Sequence, residues 1–551
     1  MNKNIIIIYC LLFALSITAF PQKVISEWAF TSGGPKMDGS EAITSDSYGN
    51  IIVTGYIQSK AKFDTKELNP YGDTDIFLAK YSKNGKLIWV KNYGSTYTKN
   101  ITITESGNDV AVDSKDNIYI VGRFAETANF TGTTVKSAGG YDIFFAKIDK
   151  DGDLQWVKSI GNHLCDISNS LYIDKNDNIY VSGTTQGTLM LGDYLMSTVG
   201  TNAFIAKYSV DGYIQWVKHM QTKGNTAINK VTGDDNCIYF TGYFGKELFF
   251  EDKYIESKGD RDLFLVKLNN QGELIWIKTS DECTVASGKD ICIGDNGIYI
   301  VGDYTKWLAF DDVKIMAEGS QDIFIARLNN AGELIWIKSF GGPDLDRVTA
   351  ISKLGSNEVI VSGMYSNQLY IGDTIIETEG LEDVFLASYD LSGRYQWIYG
   401  FGSTMQDRLN DIYVDKYNDI YLTGFMRKDM LFDNVILNSN GGSDIFIGKL
   451  ANYNNESLDV YEQGFNVENI VEFELYPNPC NGLFTIYSNP AFMGNIQYFE
   501  IRNALGESVQ IVKEPSSTEL SINISNLPSG VYFIEGITKD DDVYTRRLVK
   551  I

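Results

Sequence analysis

From about residue 25 to residue 450, apolar positions fall in short runs of β-branched and aromatic residues separated by Gly, Asn and Asp. Examples are 118–122 (IYIVG), 142–148 (DIFFAKI) and 154–160 (LQWVKSI). Such runs predict β-strands, and their nearly continuous apolar character predicts strands that are covered on both faces. Between them, segments such as 113–117 (DSKDN) and 149–153 (DKDGD) predict tight turns.

The strand pattern repeats every 60 to 67 residues, with a tryptophan, a phenylalanine and a glycine in the same order in each repeat. Each marker occurs seven times, and the tryptophans are Trp28, Trp89, Trp156, Trp216, Trp276, Trp336 and Trp397. Small antiparallel sheets of four strands repeated around an axis make a β-propeller. The sequence therefore predicts an all-β, seven-bladed β-propeller over residues 25–450.

The repeat is longer than the roughly 40–50 residues of common propeller repeats. The extra residues lie between the second and third strands, in segments such as 308–319 and 369–380. Each such segment reads as strand, Asp-containing turn and strand, which predicts an added β-hairpin on every blade.

The phase of the repeat predicts how the ring closes. The last strand of the phenylalanine type, residues 444–450, has no tryptophan strand after it, and Trp28 has no phenylalanine strand before it. We expect the N-terminal strand to pair with 444–450 as the outermost strand of the seventh blade. Closure would protect sheet edges that an open array leaves exposed.

These repeats resemble the bacterial repeat named for seven-bladed β-propellers, over about residues 25–450. That resemblance implies the fold and no particular chemistry. The segment 79–89 (AKYSKNGKLIW) is also similar to the tryptophan-docking motif of quinoprotein-like propellers, in which the indole packs onto a neighbouring blade. We use the second resemblance only to predict a packing role for the tryptophans.

The first residues have the pattern of an export signal. Lys3 lies in a short polar stretch, and an apolar run from Ile5 to about Ala19 follows. The run is too short to favour a membrane span, so residues 1–21 are predicted to be a signal peptide that is removed on secretion. No later stretch approaches 18 apolar residues, and we expect no membrane span in the mature chain.

The repeats stop at a polar stretch, residues 451–470, which we interpret as a linker. Residues 471–551 show short β-rich runs between turn signals, a pattern that predicts a small β-sandwich. Ten positions there form an ordered motif: Tyr476, Pro477, Asn478, Pro479, Gly482, Leu527, Pro528, Gly530, Tyr532 and Lys550. They resemble the type A C-terminal sorting domain of the type IX secretion system of Bacteroidota, an Ig-like β-sandwich. The resemblance implies export to the outer cell surface or the medium, with the secretion machinery as a partner.

Composition limits the possible chemistry. The chain has 47 Lys and Arg against 71 Asp and Glu, a formal net charge of −24, and no basic block, so we expect no nucleic-acid partner. His163 and His219 are too few for a three-histidine zinc site, and no GxSxG, GxGxxG or Walker A motif occurs. Segment 149–153 lacks the distal glutamate of a calcium loop. We expect no catalytic residue, metal site or cofactor, and free thiols, with a Cys283–Cys292 pair as the alternative.

Antiparallel strands alternate in direction, so the fourth-to-first and second-to-third connections emerge on the same face of the predicted propeller, which we call the long-loop face. Loops on a rigid scaffold commonly carry binding sites. Four aspartates in the fourth-to-first loops are candidates for a polar rim that binds a ligand: Asp38, Asp166, Asp346 and Asp407. The alternative interpretation is that each aspartate caps a turn.

The function predicted from these features is that of a secreted or cell-surface propeller that binds an unidentified protein or glycan. One alternative is an extracellular carbohydrate-active hydrolase that uses carboxylates on the long-loop face. A purely structural surface component is the other alternative.

Overall fold

The computed structural model describes residues 24–96, 105–294, 297–433, 435–452, 473–476, 480, 482–488, 490–503, 507–513, 519–528, 530–539 and 543–550. These residues are mostly in β-strands, so the protein is all-β, as the sequence predicted. The chain divides into an N-terminal unit, residues 1–453, and a C-terminal unit, residues 454–551. The expected signal peptide lies outside the described residues. The expected linker does too, except Ala451 and Asn452, which still belong to a strand.

The N-terminal unit is built from the sequence repeats, numbered here 1 to 7, and each repeat contains antiparallel strands hydrogen-bonded in the order first, second, third, fourth. The sheets of repeats 1 and 2 are joined where Gly94 and Ser95 pair with Asn129 and Ala128. The strands of repeats 1 to 3 are β2 (Gly39–Ser45), β3 (Ile51–Ile57), β6 (Asp75–Tyr81), β7 (Leu87–Ser95), β8 (Ser106–Val112), β9 (Ile118–Phe130), β10 (Thr133–Ile148), β11 (Leu154–Ile160), β12 (Ile167–Ile173), β13 (Ile179–Leu191), β14 (Tyr194–Tyr208) and β15 (Ile214–Met220). The strands of repeats 4 to 6 are β16 (Thr226–Gly233), β17 (Cys237–Phe244), β20 (Asp262–Asn269), β21 (Leu274–Thr279), β22 (Glu282–Gly294), β23 (Gly297–Phe310), β25 (Asp322–Leu328), β26 (Leu334–Phe340), β27 (Arg347–Leu354), β28 (Glu358–Tyr365), β31 (Asp383–Asp390) and β32 (Tyr395–Phe401). Repeat 7 contains β33 (Arg408–Val414), β34 (Ile420–Met426) and β37 (Asp444–Asn452).

The predicted hairpin between the second and third strands is present in every repeat. It is formed by separate short strands or by extensions of the long ones. The short strands are β4 (Ala61–Phe63), β5 (Lys66–Leu68), β18 (Glu247–Phe250), β19 (Lys253–Glu256), β24 (Val313–Met316), β29 (Gln368–Ile371), β30 (Thr374–Glu377), β35 (Met430–Phe432) and β36 (Val435–Leu437). Residues such as Asp64 and Asp311 at the hairpin tips have positive φ, which the short side chain of aspartate tolerates.

The first strand of the chain completes the sheet of the last repeat. Strand β1 (Val24–Ser32) pairs antiparallel with β37, so the sheet order is β1-β37-β34-β33. Trp28 lies opposite Lys449, and Thr31 lies opposite Phe446. The fourth strand of repeat 7 therefore comes from the other end of the unit.

Hydrophobic clusters lie between the sheets of neighbouring repeats. One cluster contains Val361 of repeat 6 together with Ile325 of repeat 5. Another joins Phe77 of repeat 1 to Ile447 of repeat 7, with Trp28 packed against it. Both faces of a sheet are covered in this way, and for this reason the third strands are apolar almost without alternation.

The tryptophan of each fourth strand packs against the next repeat, which confirms the packing role predicted for these residues. At Gly272 a Cβ atom would lie 2.9 Å from the indole of Trp216, and the φ of +81° there also favours glycine. Trp216 Nε1 and Lys207 Nζ both donate hydrogen bonds to Asn270 O of the same turn, at 3.4 and 3.0 Å. The equivalent pairs are Trp28 with Gly85, Trp89 with Gly152, Trp156 with Gly212, Trp276 with Gly332 and Trp336 with Gly393.

Repeat 6 departs from this scheme for a topological reason. Its neighbour, repeat 7, has no turn between the third and fourth strands, because β37 and β1 come from opposite ends of the unit. The buried Trp397 Nε1 accordingly has no hydrogen-bond partner among the described residues. Ser388 takes the place of the usual Lys or Arg and donates to Glu358 Oε2 at 2.5 Å.

The described residues of the C-terminal unit form two sheets and one short helix, α1 (Pro490–Asn495). The sheets consist of β38 (Phe473–Tyr476), β39 (Leu483–Ser488) and β42 (Glu519–Asn523), and of β41 (Ser508–Lys513), β40 (Ile496–Asn503), β43 (Gly530–Thr538) and β44 (Val543–Lys550). Phe484 and Ile486 of the first sheet share one core with Phe499 and Ile534 of the second. The two sheets thus pack as a small sandwich.

Candidate functional site

The four predicted rim aspartates are fully buried, and their carboxylates accept hydrogen bonds from main-chain amides of their own repeat. Asp38 accepts Gly34 N at 2.7 Å and Gln58 N at 2.8 Å, so it ties the fourth-to-first loop to the end of β3. The other three bind equivalent amides: Asp166 accepts Asn162 N, Asp346 accepts Gly342 N, and Asp407 accepts Ser403 N. This geometry favours the turn-capping alternative, and ligand binding by the rim stays a prediction.

Glu105 occupies the same position in repeat 2 and was missed in the sequence. It is 1% exposed and accepts bonds from Ser95 N at 2.9 Å and Ala125 N at 3.1 Å. The additional residues before repeat 2 displace it from the regular spacing. Counting 17 residues back from Gly122, the marker glycine of repeat 2, identifies it, because Asp166 and Asp346 lie at the same spacing from their own marker glycines.

Each of these acids lies beside a second buried carboxylate at the start of the preceding repeat's third strand. A Cβ atom at Gly94 would lie 2.5 Å from Asp75 Oδ1 and 2.9 Å from Glu105 Oε2, so both acids flank one glycine. The other pairs are Asp444 with Asp38, Asp142 with Asp166, Asp322 with Asp346, and Asp383 with Asp407. We call these five pairs the junction carboxylates.

Burial and mutual repulsion favour the protonated form of the junction carboxylates. Burial raises the pKa of Asp38 to about 6 and that of Glu105 to about 7, and the neighbouring carboxylate adds to each increase. The pKa of Asp346 is likewise raised to about 7 by burial, with Asp322 contributing. At the junction carboxylates the folded protein therefore binds more protons than the unfolded chain between about pH 4 and pH 7. Burial lowers the pKa of His219 to about 4, and this single group acts in the opposite direction.

These pKa values predict that the protein is more stable at mildly acidic than at alkaline pH. A carboxyl whose folded pKa is raised contributes most below its unfolded pKa, and the contribution is lost as the pH rises through the folded pKa. We expect thermal unfolding at pH 5 to occur roughly 5 °C higher than at pH 8. Glu105→Gln should reduce the difference and Asp151→Asn, at an exposed turn, should not. A Tm that rises from pH 5 to pH 8 would contradict the assignment.

A second group of charges lies on the first strands of four repeats. Lys230 Nζ is 3.6 Å from Asp109 Oδ2, and the carboxylates of Asp290 and Asp411 also act on it. Burial alone would lower the pKa of Lys230, but the three carboxylates outweigh burial and hold that pKa above its usual range. Burial raises the pKa of Asp411 to about 7. We call these four residues the lysine–aspartate cluster.

A β-bulge places each member of the lysine–aspartate cluster. Each first strand carries a bulge at the same position, and the cluster residues directly follow it. The aspartate oxygens also bind main-chain amides of the next repeat. Asp109 accepts Leu171 N at 2.8 Å, and Asp411 accepts Ile43 N at 3.0 Å. The cluster thus links first strands, and Lys230 offsets part of the negative charge of the three aspartates.

On the face that carries the tight turns, an open cleft of about 250 Å³ lies between repeats 1 and 2. Its lining residues are Asp46, Tyr48, Asn50, Lys80, Ile88, Trp89, Lys150 and Asp151. The buried Lys80 Nζ and Asp46 Oδ2 form an ion pair of 2.9 Å within this lining. The other lining groups include the exposed side chains of Tyr48, Lys150 and Asp151. We call it the repeat 1–2 cleft.

Several motif residues of the C-terminal unit meet at one turn of the sandwich. Tyr532 Oη donates to Pro528 O at 2.7 Å, and Lys550 Nζ donates to Leu527 O at 2.7 Å. Gly482, with φ of +97°, accepts Ile524 N through its carbonyl. Tyr476 and Gly530 lie in β38 and β43, whereas Pro477, Asn478 and Pro479 lie outside the described residues.

The five cysteines of the described residues are free thiols, including Cys283 and Cys292. Segment 149–153 forms a turn in which Asp149 Oδ1 accepts the amides of Asp151 and Asp153. In the part of the chain that the structure describes, no three His, Cys, Asp or Glu side chains are grouped so that they could hold a metal ion. That part also contains no helix of the length and apolarity needed to cross a membrane.

Comparison with known proteins identifies two segments. Residues 474–551 match the secretion system C-terminal sorting domain, and residues 155–189 match the SBBP beta-propeller repeat. An uncharacterized WD repeat-containing protein of Acanthamoeba polyphaga mimivirus is 22% identical over 72% of this chain and 36% of its own length. The Regulatory protein FlaEY of Caulobacter vibrioides is 25% identical over 34% of this chain and 20% of its own length. The chain thus spans about a third or less of these relatives.

Among solved structures, the Neurospora crassa Pan2 WD40 domain aligns with a TM-score of 0.37 and 8% identity, over 75% of this chain and 89% of that domain. A Synechocystis apocarotenoid oxygenase aligns with a TM-score of 0.37 and 9% identity, over 77% of this chain and 93% of the oxygenase. The sorting domain directs export through the type IX secretion system to the cell surface or beyond. This protein joins beta-propeller repeats of the SBBP type to a type IX secretion sorting domain.

Proposed function

We propose that residues 24–452 form a seven-bladed β-propeller, closed by β1, that is displayed outside the cell and binds a protein or glycan there. The observation that carries the architecture is the cyclic order of the first strands. Each first strand contacts that of the next repeat, from β2 through β8, β12, β16, β22 and β27 to β33, and β33 contacts β2. Seven sheets in such a cycle surround a common axis.

Hydrogen bonds between repeats 7 and 1 support this closure. Asn410 Nδ2 donates to Ser40 O at 2.7 Å, and Ser40 Oγ donates to Gly424 O at 2.8 Å. The equivalent amide bond joins consecutive repeats elsewhere, as from Asn229 to Gly288 O at 2.7 Å. The junction between the ends of the unit thus uses the same contacts as the internal junctions.

Burial of the acidic residues favours binding over catalysis. A glycoside hydrolase needs two carboxyl groups that flank a substrate, one of them with a raised pKa. Glu105 and Asp75 have raised pKa values, of about 7 and about 6 through burial, but they are at most 1% exposed and bind main-chain amides. A substrate has no access to them in this conformation. We therefore propose an interaction protein in preference to the carbohydrate-active hydrolase.

A truncation tests the export part of the proposal. Removing residues 471–551 should leave the propeller folded but retained in the periplasm, because the type IX secretion system recognises its substrates by the sorting domain. Cell fractionation with mass spectrometry measures the location, and limited proteolysis of the retained fragment measures its folding. Normal export of the truncated chain would contradict the proposal. A control is the full chain with Asp151→Asn, at an exposed turn of the N-terminal unit, which should be exported normally.

A further inference from the structure

Most repeats share the contact between the tryptophan and the turn of the next repeat, and this contact does not account for additional exposed apolar side chains beside it. Repeat 1 has such side chains at the repeat 1–2 cleft. Tyr48 and Ile88 line this cleft with 72% and 49% of their surfaces exposed. No structural contact common to the repeats requires them, because repeat 2 has Lys115 and Gln155 at the same positions.

Among the seven repeats, repeat 1 alone combines a tyrosine in the first tight turn with an aliphatic residue before the tryptophan. Repeat 7 has the tyrosine, Tyr417, but Glu27 precedes its tryptophan. Repeats 4 and 5 have Ile275 and Ile335 but no tyrosine in the turn. Together with the indole of Trp89, the side chains of Tyr48 and Ile88 form an apolar, partly aromatic wall of the cleft.

The polar lining of the cleft has balanced charge. Lys80 and Asp46 neutralise each other in their buried ion pair, and Lys80 Nζ is further held by Lys150 O at 3.0 Å. The exposed side chains of Lys150 and Asp151 add one charge of each sign at the mouth. A strongly anionic or cationic ligand would find no net complementary charge, whereas hydroxyl groups could bond to both signs.

We propose that the repeat 1–2 cleft is a binding site for a neutral carbohydrate. A sugar ring presents an apolar C–H face, which packs on aromatic and aliphatic side chains, and an edge of hydroxyls, which hydrogen-bond to charged groups. The cleft volume of about 250 Å³ lies below the roughly 300–1,000 Å³ of pockets for drug-sized ligands. The cleft would therefore contact only part of a longer oligosaccharide. This inference rests on the proposed binding function and names its ligand class.

The test is an array of neutral, sialylated and sulfated oligosaccharides probed with the purified mature chain, followed by calorimetric titration of the bound oligosaccharide. We expect binding to neutral members and about tenfold weaker affinity in Tyr48→Ala. The matched control is Tyr417→Ala, which removes an equally exposed tyrosine, 72%, from the same turn position and should leave affinity unchanged. Both side chains are exposed, so both variants should keep the Tm of the parent.

Several outcomes would overturn the carbohydrate site: no oligosaccharide bound, binding of acidic members only, or equal loss of affinity in the two variants. If Tyr48→Ala binds a protein partner as tightly as the parent and no sugar is bound, the carbohydrate site fails and the interaction function stands. If the chain binds nothing and cleaves an oligosaccharide instead, the proposed interaction function fails.

Discussion

Deletion of residues 24–32 is expected to abolish the stable fold of the N-terminal unit, although it removes only β1. The loss exposes the edge of β37 along its whole length and removes Trp28 and Phe30 from the core shared by repeats 7 and 1. It also removes Val24 from the core between repeats 6 and 7. Burying a single large apolar side chain contributes about 1.5–3 kcal/mol, so several such losses approach the total stability of a typical domain.

Circular dichroism, thermal unfolding and size-exclusion chromatography of the deletion variant measure this effect. The expected result is aggregation or loss of the cooperative transition. A chain that lacks residues 471–551 is the control, and its N-terminal unit should unfold as in the parent. A synthetic peptide of residues 22–34 added in trans should restore part of the lost stability. A deletion variant with an unchanged transition would show that β1 is dispensable.

Lys230→Met is expected to destabilise the N-terminal unit by about 3 kcal/mol or more at pH 8, because it leaves three carboxylates near one another without their cation. Two of them, Asp290 and Asp411, have pKa values raised by burial even with Lys230 present, that of Asp411 to about 7. Without Lys230 their pKa values should rise further. The loss of stability should therefore shrink as the pH falls from 8 to 5.

Chemical denaturation at the two pH values measures this change. Lys175→Met is the matched control, since Lys175 forms a 2.6 Å ion pair with Asp235 on the surface, where both side chains are more than half exposed. Exposed pairs contribute roughly 0–1 kcal/mol, so little loss is expected at either pH. Equal effects of the two substitutions would contradict the account of the lysine–aspartate cluster.

The fold could be predicted from the sequence to the extent that each repeat is a local pattern. The spacing of the tryptophans located the sheets, and the segment 308–319 predicted the hairpin of β23 and β24. The limits of the strands were less certain, because β37 continues to Asn452, into the stretch interpreted as a linker. The polar composition there concealed a strand that is stabilised by pairing with β1.

The candidate sites were harder to predict because they depend on contacts between repeats. The sequence identified Asp346 as a candidate residue of the fourth-to-first loop. Its burial follows from packing against the preceding repeat, and because it is buried its carboxylate binds main-chain amides of the loop instead of facing solvent. The lysine–aspartate cluster combines residues about 60 to 300 positions apart. One signal was present: Lys230 stands where Asp109, Asp290 and Asp411 stand in other repeats.

The repeat 1–2 cleft left a weaker signal. Tyr48 lies in a turn where aromatic residues are not required, but exposure decides whether such a side chain is available. Exposure depends on the turn of the next repeat, which contains Lys150, and so on the three-dimensional arrangement. Comparison of the repeats with one another is the step that separates shared structural residues from residues with another role.

Ring closure by β1 is the claim on which the rest depends, and an engineered disulfide tests it most directly. A Cβ atom at Gly448 of β37 would lie 3.6 Å from Cβ of Ala29 in β1, within the usual range for a disulfide. In the double variant Ala29→Cys and Gly448→Cys, mass spectrometry of the oxidised protein should detect a bond between these two positions. A folded double variant in which both new thiols stay free under oxidising conditions would contradict the closed ring.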